Sequence, residues 1–226
     1  MASGASHTSG SPLPSIPTPP ADLDSRIVRG SWQASKLIHR VHREAYAGNA
    51  FNGSAAGNAR FSPLIDPVTG NVIPTIYGGA DFICAAMETV FHDVPFAAGM
   101  KVYDKSKLAP QRYSILKPLR DLTLAMLTTV NFHALGIKRT ELIETEATCY
   151  PLTRPWALAI HDQCPDVDGL CWVSRQHDEE RSLVLFGDRV TSADLKQVAG
   201  PTNLLTDAAT YVALSDLAFR MHVTLA

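Results

Sequence analysis

The apolar residues of this chain fall in short runs separated by turn-forming residues, and this spacing constrains the fold more than any other feature. Runs of strand length lie at 37–42, 73–77, 100–103, 113–118, 121–127, 169–174 and 182–186. Segments typical of helices lie at 80–92, 153–163 and 206–221. We find no internal repeat. Short strands interspersed with helices predict an α+β fold, with a curved sheet around a cleft.

The two ends of the chain differ in composition from its centre. Residues 1–26 are rich in Ser, Pro, Gly and Ala and contain few large apolar residues. Such a segment buries too little surface to offset its ordering entropy, so we predict a disordered leader, with a docking arm for a partner as the alternative. Residues 27–226 are predicted to form a single domain, with its core at 37–190 and a helical tail at 191–226.

Charge and cysteine content narrow the classes of partner. The 20 basic and 22 acidic residues give a net charge of −2, and no basic stripe is present. This argues against direct nucleic-acid binding and against a polybasic membrane patch. No apolar run approaches the length of a membrane span. The four irregularly spaced cysteines and the lack of a signal peptide predict reduced thiols in the cytoplasm.

The standard motifs of several large enzyme classes are missing. The sequence contains no G-x-G-x-x-G, Walker A, G-x-S-x-G or H-E-x-x-H motif. His39 and His42 lie three residues apart on a predicted strand, where their side chains point to opposite faces. We therefore predict no metal site, and the ligand is expected to be a small molecule or a protein.

Four polar residues stand where a simple fold would not need them. Arg40 interrupts a strand, Arg60 follows a Gly/Asn-rich loop, and Tyr77 ends a strand before two glycines. Glu88 lies in an otherwise apolar helical stretch. The plain alternatives are salt bridges for the arginines, a half-buried strand-end tyrosine and an exposed helix glutamate.

These residues belong to five pieces that together resemble the RES domain family, which is named after its Arg, Glu and Ser. The pieces are His39-Arg40-Val41-His42, Ala59-Arg60-Phe61-Ser62-Pro63, Tyr77-Gly78-Gly79, Ala85-Ala86-Met87-Glu88 and Asp168-Gly169-Leu170-Cys171-Trp172-Val173-Ser174. The resemblance covers residues 37 to about 190. No single piece is specific, but five in this order make chance similarity improbable.

The resemblance implies a fold and a chemistry. The fold would be like that of ADP-ribosyltransferases, with curved mixed or antiparallel sheets around an NAD cleft and flanking helices. The activity would be cleavage of NAD⁺, by phosphorolysis to nicotinamide and ADP-ribose-1″-phosphate or by glycohydrolysis. NAD⁺ would be the substrate and inorganic phosphate a co-substrate, without a metal. Many family members are toxins covered by an Xre-type antitoxin, and a homodimer is expected from the family alone.

The resemblance also assigns roles to five residues. Arg40, Glu88 and Ser174 would be catalytic, and Arg60 and Tyr77 would bind NAD⁺. Guanidinium groups suit phosphate oxygens. Nicotinamide leaves as a neutral group without a general acid, so one carboxylate, Glu88, can stabilise the oxocarbenium-like ribose. Ser174 has no adjacent His–Asp pair and would hold a neighbour or the substrate in place; a strand-end cap is the alternative.

Some features depart from the family pattern and leave alternatives open. Val41 stands where some members have Tyr, so that contact is either missing or made by His42, and Asp188 is the candidate counterpart of a further polar residue. Weaker candidates near the cleft are His177, Trp156 and Arg175. Two other functions stay open: mono-ADP-ribosylation of a protein target, and a catalytically inactive RES domain that only binds a partner protein.

Overall fold

The computed structural model describes residues 16–226, and its centre is a curled sheet of eight strands flanked by helices. The helices are α1 (Leu23–Arg26), α2 (Phe82–Met87), α3 (Thr129–Leu135), α4 (Arg139–Leu142), α5 (Tyr150–Gln163) and α6 (Ala208–Arg220). The strands are β1 (Arg29–Trp32), β2 (Ile38–Arg43), β3 (Leu64–Ile65), β4 (Val72–Ile73), β5 (Thr75–Gly79), β6 (Lys101–Tyr103), β7 (Gln111–Pro118), β8 (Leu122–Leu127), β9 (Gly169–Val173), β10 (Arg181–Phe186), β11 (Leu195–Asn203) and β12 (Val223–Leu225). This confirms the predicted α+β class.

The order of strands in the main sheet is β1-β8-β9-β10-β5-β2-β7-β11. The neighbours are antiparallel except for β8 and β9, which are parallel. Strands β9 and β10 lie at the centre and read as continuous apolar runs because both of their faces are covered. Leu170 and Trp172 pack on one face, whereas Cys171 packs on the other.

Three hydrophobic clusters hold the layers together. The first packs α3 and α5 on one face of the sheet, with Trp156 1 % exposed at its centre. The second fills the opposite face between β7, β8, β9 and β10. The third joins α2 and α6 to the ribbon of β6 and β12, and it includes Phe91, Leu108 and Leu214. Helix α2 is thereby fixed between the sheet and α6.

The sheet opens between β2 and β5. Strand β2 pairs with β7 along its whole length, from Ile38 to Arg43. Its pairing with β5 is limited to one position, His39 opposite Gly79. Beyond that point the two strands diverge, and at Thr75 the same edge of β5 pairs with Asn52 of the preceding loop, since β10 occupies its opposite edge. The divergence creates the cleft that the sequence could only imply.

Two predicted elements need correction. The helix predicted at 80–92 ends at Met87, because Glu88 caps it and the amides of Val90 and Phe91 both bond to the carbonyl of Ala86. This turn buries Val90 and Phe91 in the third cluster. The tail contains the predicted helix as α6, but it also contains strands β11 and β12. Register shifts in β11 absorb its Gly-Pro step, which interrupts the strand pattern in the sequence.

The predicted leader also changes in part. Residues 1–15 lie outside the residues described. The prediction of disorder is wrong for 16–26, because Leu23 is fully buried and Ile16 packs on the first cluster. The carbonyl of Pro17 accepts a hydrogen bond from the indole Nε1 of Trp156 at 2.7 Å. These contacts are made with α5, and no local pattern in the leader predicts them.

From residue 16 onward the chain has no helix whose length and apolar character would let it cross a membrane. The four cysteines are buried, and none forms a disulfide.

Candidate active site

A cavity of about 980 Å³ occupies the opening between β2 and β5. One wall is formed by residues 39–43 of β2, another by Thr75, Tyr77 and Gly78 of β5, and the rim by the loop at 50–60. Its volume is at the upper end of the range of roughly 300–1,000 Å³ that is usual for ligand sites. Four of the five predicted site residues line it: Arg40, Arg60, Tyr77 and Glu88.

Two glycines allow the close packing that shapes this cavity. A Cβ at Gly78 would lie 2.4 Å from Cγ2 of Ile38, so β5 can meet β2 only without a side chain there. A Cβ at Gly79 would lie 2.8 Å from Sγ of Cys84. Helix α2 therefore rests directly on the end of β5. This contact places the end of α2, and with it Glu88, at the cleft.

Glu88 is the half-buried residue that caps the C-terminal end of α2. A carboxylate at this end of a helix faces the negative end of the backbone dipoles, which is an unfavourable position without a compensating donor. Oγ of Ser174 supplies that donor, at 2.6 Å from Oε1 of Glu88. The alternative of an exposed helix glutamate does not describe this residue.

Ser174 is fully buried behind Glu88 and does not line the cavity. Its Oγ accepts hydrogen bonds from the backbone amides of Gln176 at 3.1 Å and His177 at 2.9 Å. A hydroxyl has two acceptor positions and one hydrogen, so with both acceptor positions occupied the hydrogen points to Glu88. Ser174 thus orients the carboxylate, and its occupied lone pairs make it unsuitable as a nucleophile.

Arg40 lines the cavity and is anchored to the loop that follows β2. Its Nη1 donates to the carbonyls of Gly48 at 2.6 Å and Ala50 at 2.9 Å. Within residues 16–226 it forms no salt bridge, and Nε and Nη2 make no hydrogen bond. Burial lowers the pKa of this guanidinium to about 10. The Nε–Nη2 edge is therefore a free fork of the kind that binds phosphate oxygens in pairs.

Arg60 is only 7 % exposed, and its guanidinium is held by buried neighbours. Its Nη1 donates to Oγ1 of Thr145 at 2.7 Å, and its guanidinium lies 4.9 Å from the ring centre of Tyr150. Burial lowers its pKa, while Tyr150 and Glu88 act in the opposite direction. In the described part of the chain Arg60 also lacks a salt bridge. A salt bridge, the plain alternative for the two arginines, therefore describes neither of them.

Tyr77 lies on the inner side of the cleft, half-buried between aromatic residues. Its hydroxyl accepts a hydrogen bond from the amide of Phe61 at 3.0 Å, and its ring meets Trp172 edge to face at 6.3 Å. Burial raises the pKa of Tyr77 to about 12, so it stays protonated at neutral pH. The tyrosine fixes the segment that carries Arg60 and also lines the cavity.

The weaker candidates have structural roles. Trp156 belongs to the first cluster, and Arg175 donates to Thr145 and Glu146. His177 faces Asp81, and Asp188 bonds to His161, away from the cleft. His42 does line the cavity, but it is 6 % exposed and both of its ring nitrogens have partners, Ser114 and the carbonyl of Arg43.

Tyr150 and His92 are among the cavity residues that sequence reasoning missed. Tyr150 opens α5 and has no motif around it. His92 lies four residues after Glu88, on the same face if the predicted helix had continued, which is the one signal that the sequence offers. Nε2 of His92 lies 3.3 Å from the hydroxyl of Tyr150. The two residues connect the turn that follows α2 to Arg60.

The charged lining consists of three arginines and two carboxylates: Arg40, Arg43, Arg60, Glu88 and Asp93. This cleft in an α+β fold has one oriented carboxylate, and Arg40 and Arg60 have no carboxylate partner in the part of the chain that the structure describes. Such a lining defines a site for an anionic ligand. Comparison with protein families matches the RES domain over residues 37–207. The chain therefore belongs to the RES domain family. Comparison with curated proteins found none that matches.

Proposed function

We propose that this chain cleaves the bond between nicotinamide and ribose in NAD⁺, with inorganic phosphate as the acceptor. The observation that carries the proposal is the Glu88–Ser174 pair at 2.6 Å, in a cavity lined by Arg40 and Arg60, neither of which has a carboxylate partner among residues 16–226. Membership of a family associated with NAD supports it. Activity as a toxin, controlled by an Xre-type antitoxin, is part of the same proposal.

The chemistry requires little from the protein beyond charge and position. The nicotinamide ring of NAD⁺ is cationic and leaves as a neutral molecule, so no proton must be delivered to it. Positive charge then develops on the ribose, close to the Glu88 carboxylate. Such a pre-organised charge stabilises a transition state typically by about 2.7–4 kcal/mol. Arg40 would bind the pyrophosphate, and Tyr77 with Trp172 would form an apolar wall for the nicotinamide and ribose.

Replacement of Glu88 by Gln tests this role, because the amide keeps the shape and can still accept from Ser174. We expect kcat for nicotinamide release to fall roughly 10²–10³-fold, with little change in the affinity for NAD⁺. Glu146→Gln, at an exposed carboxylate outside the cavity, is the matched control and should leave kcat unchanged. A Glu88→Gln enzyme as fast as the parent would remove the basis of the proposal.

Two other functions predict different products from the same assay. Mono-ADP-ribosylation would give a labelled target protein and a rate independent of phosphate. An inactive domain that only binds a partner would release no nicotinamide at all. Measurement of nicotinamide release from NAD⁺ with and without phosphate separates the three.

A further inference from the structure

We propose that Arg60, Tyr150 and His92 form the subsite for the attacking inorganic phosphate, whereas Arg40 binds the pyrophosphate of NAD⁺. This assignment of the two arginines rests on the proposed function and adds to it the residues that bind the acceptor. Tyr150 and His92 are the residues that make the Arg60 side of the cavity different from the Arg40 side.

The first argument is the buried charge of Arg60. Its side chain lines the cavity but is 7 % exposed, and no carboxylate of residues 16–226 forms a salt bridge with it. An unpaired buried charge is costly, and proteins usually pair it or bind a counter-ion. Nη1 is occupied by Thr145 and Leu142, whereas Nε makes no hydrogen bond in this part of the chain. An anion in the cavity would supply the missing partner.

The second argument is the direction of the hydrogen bonds beside Arg60. Oδ1 of Asp93 lies 2.7 Å from Nδ1 of His92, and since a carboxylate only accepts, Nδ1 carries the hydrogen. In the neutral ring Nε2 is then an acceptor. The hydroxyl of Tyr150 accepts from Nη2 of Arg60 at 3.4 Å and donates to Nε2 at 3.3 Å. Both distances are at the long end for hydrogen bonds, so a ligand can replace them.

Monohydrogen phosphate matches this set of groups. It has anionic oxygens for the donors of Arg60 and Tyr150, and one hydroxyl for the acceptor Nε2 of His92. A fully deprotonated anion has no hydrogen to donate to Nε2 of His92, and water has no charge to balance that of the Arg60 guanidinium. The subsite therefore favours an oxyanion that carries one hydrogen.

The third argument is the position of each arginine relative to the reacting carbon. Glu88 must lie beside C1″ of the ribose. Arg60 is linked through the hydroxyl of Tyr150 to His92, which follows Glu88 by four residues, and the charge of Glu88 also acts on the pKa of Arg60. Arg40 is instead anchored to carbonyls of the loop that follows β2. The acceptor must reach C1″, whereas the nearest phosphorus of NAD⁺ is separated from C1″ by the ribose ring and C5″. The arginine linked to the segment after Glu88 thus fits the acceptor, and the one anchored to the loop fits the pyrophosphate.

The step balances without a further reactant. An oxygen of monohydrogen phosphate forms a bond to C1″ as the bond from C1″ to the pyridinium nitrogen breaks. The electron pair of the broken bond goes to that nitrogen, and nicotinamide leaves neutral. The phosphate keeps its own hydrogen, bonded to Nε2 of His92, in the product ADP-ribose-1″-phosphate.

The test is steady-state kinetics of nicotinamide release by the full chain, with NAD⁺ and inorganic phosphate varied independently. Tyr150→Phe keeps the ring on which Arg60 rests and removes only the hydroxyl, and His92→Gln removes the imidazole. Each should raise KM for phosphate about tenfold or more and leave KM for NAD⁺ unchanged, because a hydrogen bond to a charged ligand is lost. Arg40→Gln should raise KM for NAD⁺ and leave KM for phosphate unchanged.

Tyr211→Phe and His133→Gln, which do not line the cavity, are the matched controls and should change neither constant. The assignment is overturned if the Tyr150 and His92 variants raise KM for NAD⁺ as much as KM for phosphate. It also fails if Arg40→Gln raises KM for phosphate. Nicotinamide release independent of phosphate would overturn the subsite and leave NAD⁺ cleavage intact.

A parent chain that releases no nicotinamide would instead refute the proposed function. The subsite is then decided by calorimetric titration with inorganic phosphate alone. Binding by the parent that is lost in His92→Gln and kept in His133→Gln supports it. No binding by the parent, or equal binding by His92→Gln, overturns it.

Discussion

Replacement of Ser174 by Ala would show whether this serine acts through Glu88. The structure gives its hydroxyl three partners: the carboxylate of Glu88 and the amides of Gln176 and His177. Alanine removes all three hydrogen bonds without adding volume. The loss therefore has two consequences, one for catalysis and one for stability, which can be measured separately.

The magnitudes follow from the kinds of bond that are lost. A hydrogen bond to a charged group contributes about 1.5–3 kcal/mol, so kcat should fall about 10–100-fold if Glu88 loses its orientation. The amides of Gln176 and His177 lose a buried acceptor, so the free energy of unfolding should fall by about 1–3 kcal/mol. Asn131→Ala, which removes a buried donor to the carbonyl of Met126, should cost similar stability and leave kcat unchanged.

A double-mutant cycle on nicotinamide release provides the assay. If Ser174 acts through Glu88, then Ser174→Ala should cause no further loss in a Glu88→Ala background. The two losses would add if the serine contacted the substrate directly. Additive losses, or a Ser174→Ala enzyme with full kcat, would refute the reasoning; unfolding in urea gives the accompanying stabilities.

Two more predictions concern ligand binding and the packing of α2. In Glu88→Gln, which should bind NAD⁺ without turning it over, NAD⁺ at ~100 times Kd should raise Tm by about 5–10 °C. Arg40→Gln in the same background should remove most of that shift, and an unchanged shift in thermal melts would contradict the assignment of Arg40. Gly79→Ala should lower the free energy of unfolding by about 1–3 kcal/mol in urea, because its Cβ meets Cys84. At Gly53 the nearest atom is 3.8 Å away, so Gly53→Ala should cost about 0.5 kcal/mol or less, and equal losses would refute the packing argument.

Local patterns predicted much of the framework correctly. Strands β2, β7, β8, β9 and β10 and helices α5 and α6 lie within a few residues of their predicted positions. These elements are buried on one or both faces, so their hydrophobic pattern is imposed by their own geometry. Strands β1 and β11 were not predicted, because they lie at the edges of the sheet, where the pattern is weakest.

A resemblance to the family named the candidate residues Arg40, Arg60, Tyr77, Glu88 and Ser174. The contacts of these residues depend on the tertiary structure. Residues 86 positions apart meet in the Ser174–Glu88 hydrogen bond. Tyr150 and His92 could not be named from the sequence, since their significance arises only where the start of α5 meets the turn that follows α2. Membership of the RES family is carried by the order of short motifs along the chain, whereas their functional roles remain proposals.

The sequence by itself determined the fold class, the family and most elements, because alternating burial leaves a local record in residue order. Only the tertiary structure decided where β2 leaves β5, where α2 ends and which side chains share the cleft. Those outcomes depend on contacts between distant segments, such as Gly79 against Cys84 and Phe91 in the third cluster. Such contacts stabilise one arrangement of the whole chain and leave no periodic pattern in any one segment.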